Sequence, residues 1–403
     1  MEIIGNSKLV KFSLWINLIA FIAISSLNEW FFFYQYAFKN QFADLRLITS
    51  NSECLSNGLV AKIWEETCDP WMRISNYPTI WIEFFSWLKI TEDKTFLLGV
   101  LMGSLTLVSL NLFLLRYLSD FSRMQKIILL GGIVHSLPLF MLLERGNVDQ
   151  VIFCLLFLVV STQISRKRHV QIFGILLLAC ATYLKLFSIG GAFLLFLLRM
   201  KNRNFKDSVL ILLTQGVAIL ALHDQLGKIM KFSPTVPREQ FGLRSFPSWS
   251  LSILSPGTEA NQNFLALSII GITIFIFLTF ITLYFSRAGK TRIDFRIFPQ
   301  QDLESRDFVI LAIFGGSYFA AFFAGSNWFY RYVFLIPVVT VLIQRMPGYA
   351  TRILLAITFL FLLASASSIP YLMVIMQLGA TLVAISIILI FFVSLDVNKA
   401  KLK

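Results

Sequence analysis

Residues 170–198 read VQIFGILLLACATYLKLFSIGGAFLLFLL, an apolar run whose single charge is Lys185. As one helix it would extend about 43 Å at 1.5 Å per residue, against a bilayer core of about 30 Å. It would carry Lys185 to mid-membrane, at about 2.5–3.5 kcal/mol on the insertion scale. It would also leave Arg199, Lys201, Arg203 and Lys206 on the outer side. A break within Leu184–Gly191, supplied by Gly190 and Gly191, gives two short helices and removes these difficulties. Neither half crosses alone, and broken helices are tolerated where they face protein or a water-filled cavity. Lys185 is therefore expected to line a cavity open to the outer side.

The rest of the chain sets this run in context. Of 403 residues 57% are hydrophobic and 14% charged, where soluble domains carry about 45–50% and about 25%. This excludes a disordered chain, a disulfide scaffold and an ordinary cytosolic enzyme, and points to an integral membrane protein. Other apolar runs lie near 12–36, 95–115, 127–143, 148–164, 207–223, 263–286, 308–326, 332–344, 353–369 and 372–394. The first lacks a small-residue cleavage site after a short apolar core and reads as a retained helix.

With the N-terminus in the cytoplasm, 22 of the 35 Lys and Arg but only eight of the 22 acids fall inside, giving +14 inside and −1 outside. That asymmetry satisfies the positive-inside rule. The formal charge of +13 thus reflects inner loops and not a nucleic-acid surface, so no nucleic-acid partner is expected. The expected fold is all-α and polytopic: one membrane domain over 1–403, about twelve transmembrane helices including the broken pair, both termini cytoplasmic. Its long outer segments are 37–94 and 224–262. Amphipathic helices are expected in the first, where YPTIWIEFFSWLK (77–89) should lie along the membrane surface.

This topology collects the polar outliers on the outer side. They are Asp44 in FADLRLIT, Asp69, Arg73 and Asn76 in DPWMRISNYPTIW, and Glu144, Arg145, Asn147 and Asp149 in ERGNVDQ. Lys185 in YLKLFSIGG, Arg244 and Trp249 in FGLRSFPSWS, and Asn327, Tyr330 and Arg331 in GSNWFYR complete the set. Inner loops are short and basic. External acids together with cations at membrane depth suit transfer of a sugar from a lipid phosphate. A carboxylate takes the proton of the attacking hydroxyl, and Arg and Lys stabilise charge on the departing phosphate. A polyprenyl-phosphate donor would enter laterally from the bilayer.

The succession Asp44-Leu45, Gly58, Asp69-Pro70, Asn76-Tyr77-Pro78, ERGNVDQ, LKLFS and NWFYR resembles bacterial membrane proteins of the GT-C glycosyltransferase superfamily. It is most similar to the polyprenyl-phosphomannose-dependent mannosyltransferase group, glycosyltransferase family 87. The resemblance implies a GT-C-like bundle, an inverting transfer of mannose, and an Asp of the first outer loop as base within Asp-Leu-x-Val-Tyr. Here Asp44-Leu45-Arg46-Leu47-Ile48 keeps the Asp-Leu pair and lacks the final aromatic.

Asp44 is thus the expected base, with Asp69 as the alternative; Asp-Pro is also a common turn opening. Lys185, Arg145, Arg331 and Arg244 are expected to hold the donor phosphate, and Asn76, Tyr77, Asn147, Asp149 and Asn327 the acceptor or sugar. Each has a plainer account. Asn147 can cap the following helix, with Asp149 meeting its dipole and Gln150 in the N3 position. Glu144 and Arg145 can pair together, Lys185 can form a structural ion pair with Glu144, and Arg331 can snorkel. Cys54 and Cys68 share the first outer loop and are a disulfide candidate, worth about 3 kcal/mol in the chain-entropy model. His135, His169 and His223 have no ligand spacing, so no metal is assigned. No cofactor is expected, and a divalent-ion requirement stays open.

The expected partners are a polyprenyl-phosphate sugar, a lipid or glycan acceptor and membrane lipids. The rival class is a transporter or lipid flippase, which broken helices with charge also mark, although only one break is found. A ligase or polymerase of lipid-linked oligosaccharides is the third reading. The chain has no Asn-x-Ser/Thr sequon, so a bacterial inner membrane, with the active site on the non-cytoplasmic side, is the expected location.

Overall fold

The computed structural model describes residues 2–27, 41–59, 63–117, 137–232, 240–241, 306–323 and 327–345. These are helical apart from loops and one antiparallel pair, β1 (Gln240–Phe241) with β2 (Asn327–Trp328), in register Gln240–Trp328 and Phe241–Asn327. The helices are α1 (Glu2–Leu27), α2 (Ala43–Ser56), α3 (Thr79–Trp87), α4 (Thr95–Tyr117), α5 (Leu137–Arg145) and α6 (Asp149–Gln163). They continue with α7 (Arg168–Leu184), α8 (Ile189–Lys201), α9 (Phe205–Phe232), α10 (Arg306–Ile310), α11 (Gly316–Phe323) and α12 (Leu335–Arg345). The expected runs 263–286, 353–369 and 372–394 lie outside the described residues.

Glu92–Leu115 and Phe205–Ile229 are each long and apolar enough to cross a bilayer. Their side chains show the preference. Leu97, Leu101, Leu105 and Leu112 on α4, and Val209, Leu212, Leu213, Val217 and Leu220 on α9, are all more than half exposed. Such a surface is unfavourable in water at about 25 cal/mol per Å² and neutral against lipid.

The chain divides into two compact units, Met1–Leu186 with Leu213–Ser233, and Phe187–Leu212 with Pro234–Lys403. In the first, α1 packs on α4, α4 on α6, α6 on α7, and α2 on α3. Phe113, Phe153 and Phe157 knit α4 to α6, with ring centroids 5.0 and 4.7 Å apart. Between α2 and α4, α3 buries Trp81, Ile82 and Phe85 and exposes Phe84 and Trp87. Gln225 Oε1 of α9 accepts the Thr79 N–H at 2.8 Å, satisfying one donor at the start of α3. In the second unit α8 packs on α11 and on the buried π-turn Leu311–Gly315.

Residues 170–198 do form a broken pair. α7 stops at Leu184, Lys185 is extended at φ −158° and ψ 109°, Leu186–Ser188 makes one 3-10 turn, and α8 begins at Ile189. The glycines are not the cause, contrary to expectation: Gly190 and Gly191 belong to the first turn of α8. A Cβ on Gly190 would strike the Gly316 carbonyl and Cβ of Ala320; one on Gly191 would meet the Ile313 carbonyl at 2.6 Å. They serve close helix packing. The helix stops instead at Lys185, whose side chain finds its partners within the first unit.

Candidate functional site

α2 starts with a strained entry. Phe42 holds φ 57°, a left-handed conformation unfavourable for a side-chain-bearing residue by about 1–2 kcal/mol. Its N–H donates to the Glu144 carbonyl at 2.9 Å, and its fully buried ring lies 6.1 Å from that of Phe96. Gly146, itself at φ 60°, faces Phe42 and Leu45 so closely that a Cβ there would meet the Phe42 Cβ at 2.9 Å. The turn 144–149 is thereby locked against the first turn of α2, which carries Asp44.

Asp44 is 5% exposed. Arg145 grips it in a two-pronged fork, Nη2 to Oδ1 at 2.6 Å and Nε to Oδ2 at 3.0 Å. The Asn147 amide donates to Oδ2 at 2.6 Å, and Arg73 Nη1 lies 3.8 Å from Oδ1. Burial alone would push the carboxyl up. The charges of Arg145 and Arg73, with the hydrogen bonds from Arg145 and Asn147, outweigh it and hold Asp44 below the ordinary carboxylate value. In this arrangement it is ionised and weakly basic.

Asn147 sits at the helix entry, as its plainer account expects, and also reaches Asp44. Its Oδ1 accepts the Asp149 N–H at 2.9 Å at the entry to α6, while Nδ2 donates to Asp44 and, at 2.8 Å, to the Tyr77 hydroxyl. Gln150 does not close a capping box: its Nε2 donates to the Leu142 carbonyl. Above the Tyr77 ring, 4.4 Å from its centroid, sits Lys185 Nζ, which lies 3.3 Å from Asp149 Oδ1. The ion-pair partner of Lys185 is therefore Asp149 and not Glu144, and that of Arg145 is Asp44. Glu144 is offset by its position in the turn, and burial pushes its carboxyl up to about 7 against the pull of Arg145. Trp81 Nε1 donates to the Leu184 carbonyl at 3.1 Å, tying α3 to the end of α7.

Asp69 organises its own loop. Oδ2 accepts the N–H groups of Trp71 and Arg73, both at 3.1 Å, and Nε of Arg73 at 2.8 Å, while Oδ1 accepts Arg73 Nη2 at 2.9 Å. Arg73 Nη2 also donates to the Ala43 carbonyl at 2.7 Å. Arg73 thus bridges Asp69 to the start of α2, a role to which the sequence pointed only through the four-residue spacing from Asp69. Cys54 and Cys68 are disulfide-bonded, with Cα atoms 6.0 Å apart, anchoring the Asp69 loop to the far end of α2.

Asp44, Asp69, Tyr77, Arg145, Asn147, Asp149 and Lys185 therefore form one network, joined by Arg73. Asn76 is half-buried and makes no side-chain hydrogen bond among the described residues. Arg331 belongs to the second unit, its guanidinium 5.3 Å from the Phe187 ring centroid and 6.0 Å from that of Tyr330. Asn327 contributes its backbone to β2, and Arg244 lies outside the described residues. Among the described residues no three His, Cys, Asp or Glu side chains are grouped to hold a metal. The cations suit a phosphate anion, and Asp44 is held as a weak base while Arg145 grips it. No family model, curated protein or solved structure matches the chain.

Proposed function

We propose that the chain is a membrane glycosyltransferase with a GT-C-like bundle of about twelve spanning helices, acting on the non-cytoplasmic side of a bacterial inner membrane. It transfers one sugar, mannose by the resemblance, from a polyprenyl phosphate to a lipid or glycan acceptor. What supports this reading is a single observation: the outer-loop acid Asp44, the turn cation Arg145 and the helix-break cation Lys185 belong to one buried network linked through Asn147 and Tyr77.

In the proposed step the acceptor oxygen bonds to the anomeric carbon as the bond from that carbon to the phosphate oxygen breaks. The electron pair departs with the phosphate and the hydroxyl proton passes to Asp44. Arg145 and Lys185 neutralise the phosphate. Asn76, Tyr77, Asn147 and Asp149 orient sugar and acceptor, and Asp69 holds Arg73.

The test uses purified full-length chain in detergent with several polyprenyl-phosphate sugars and a membrane lipid extract, read by mass spectrometry. A gain of one hexose on a lipid is expected. Asp44→Asn should lower turnover by at least about 100-fold at near-normal protein abundance. Unchanged turnover in that variant would refute Asp44 as the base, and solute flux in proteoliposomes without covalent change would indicate a transporter.

A further inference from the structure

Among the described residues, Asp44, Asp69 and Asp149 face Arg73, Arg145 and Lys185. Glu144, with its carboxyl at about 7, adds no fixed charge in mildly acidic solution. On the same helix as Asp44, Arg46 is engaged elsewhere, by Glu92 at 2.6 Å. An arriving phosphodiester brings one negative charge into this buried set. It can gain Arg145 only by taking the fork that Asp44 now fills.

We propose that the donor's phosphate exchanges for Asp44 on Arg145, so that Asp44 becomes a competent base only once the donor is seated. The inference rests on the glycosyltransferase reading above and adds an order to it: donor first, then proton acceptance. Arg145 then passes from carboxylate to phosphate, while Asn147, which also donates to the Tyr77 hydroxyl, retains the freed carboxylate. Charge closes through the step. The donor diester carries one negative charge, the departing monoester two, and the proton gained by Asp44 cancels the difference.

The exchange has a signature in proton uptake. Asp44 freed beside a bound anion must regain basicity, so binding should draw a proton from solution. The probe is an isoprenyl methyl phosphodiester, whose own charge is fixed, added to detergent-solubilised full-length protein carrying Glu144→Gln to remove the neighbouring titrating group. Calorimetry in buffers of different ionisation enthalpy counts the protons. The expected result is uptake rising toward about one proton per bound diester as the pH is lowered from about 8 to about 5. That uptake should be lost when Asp44→Asn is added.

Infrared difference spectra of the Glu144→Gln protein give a second readout: a protonated-carboxyl stretch should appear on diester addition, whether or not the Asp44→Asn protein folds. Binding with no uptake and no such band would overturn the exchange while leaving the transferase reading intact. Uptake that persists with Asp44→Asn would likewise overturn it. Absence of any diester binding would overturn the transferase reading itself. An equal response to phosphatidylglycerol would overturn the glycosyl-donor reading and leave the exchange standing.

Discussion

The polar network of the first unit and the helix seam of the second are held together by opposite means. Around Asp44, opposite charges and shared donors fill a water-poor space; between α8 and the Ile313–Gly316 stretch, missing side chains let backbones touch. The first should fail when something is removed, the second when something is added. A charge left alone in such a space keeps its desolvation penalty with no partner to offset it. A seam of glycines has no such debt, but it has no spare volume either.

The sharpest way to break this comparison is Arg145→Met, which strands Asp44 and should destabilise the fold by about 3–5 kcal/mol. Combining it with Asp44→Leu should recover most of that loss. Thermal unfolding in detergent of the two single variants and the double decides it; additive losses would mean that the pair is not an energetic unit. Next in size, replacing Cys54 and Cys68 by Ser should cost about 3 kcal/mol. Denaturant titration of oxidised, reduced and substituted protein would measure it, and equal midpoints would deny the clamp.

On the other side of the comparison, Gly190→Ala should destabilise by about 1–3 kcal/mol because its methyl group meets the Gly316 carbonyl. A neutral result in the same unfolding assay would show that the seam is looser than described. The smallest effect concerns pH. The folded state holds the Glu144 proton up to about 7, whereas the unfolded chain releases it near 4.5. Glu144 therefore withdraws stability as pH rises through that interval and nothing further above it. Glu144→Gln should raise stability at about pH 8 by on the order of 1–2 kcal/mol and make little difference in acid. Asp44 acts in the reverse sense: its contribution is present at neutral pH and lost as the pH falls through its depressed value. Unfolding midpoints across pH for Glu144→Gln and the unsubstituted protein separate the two.

Much of this was legible in the residue order. Lys185 alone within an apolar run demanded a break, and the break is there. Cys54 and Cys68, close in sequence, are a disulfide candidate by residue order, and they are bonded. The ERGNVDQ turn and Asp44 were both flagged as polar and external, although roughly a hundred residues separate the pair that meets. What remained hidden depends on tertiary register. Whether Lys185 reaches Glu144 or Asp149, acids of two successive helices, is something no local pattern encodes. Gly190 and Gly191 were read as breakers because a glycine pair has the same sequence signature in a loop and in a tight seam. Phe42 in a left-handed turn contradicts local preference outright, and only the Glu144 carbonyl and the space over Gly146 explain it.

The indole of Trp81 supplies the donor for the last free carbonyl of α7. Helices α3 and α7 therefore share a latch, since withdrawing α3 would strand an acceptor at the kink beside Lys185.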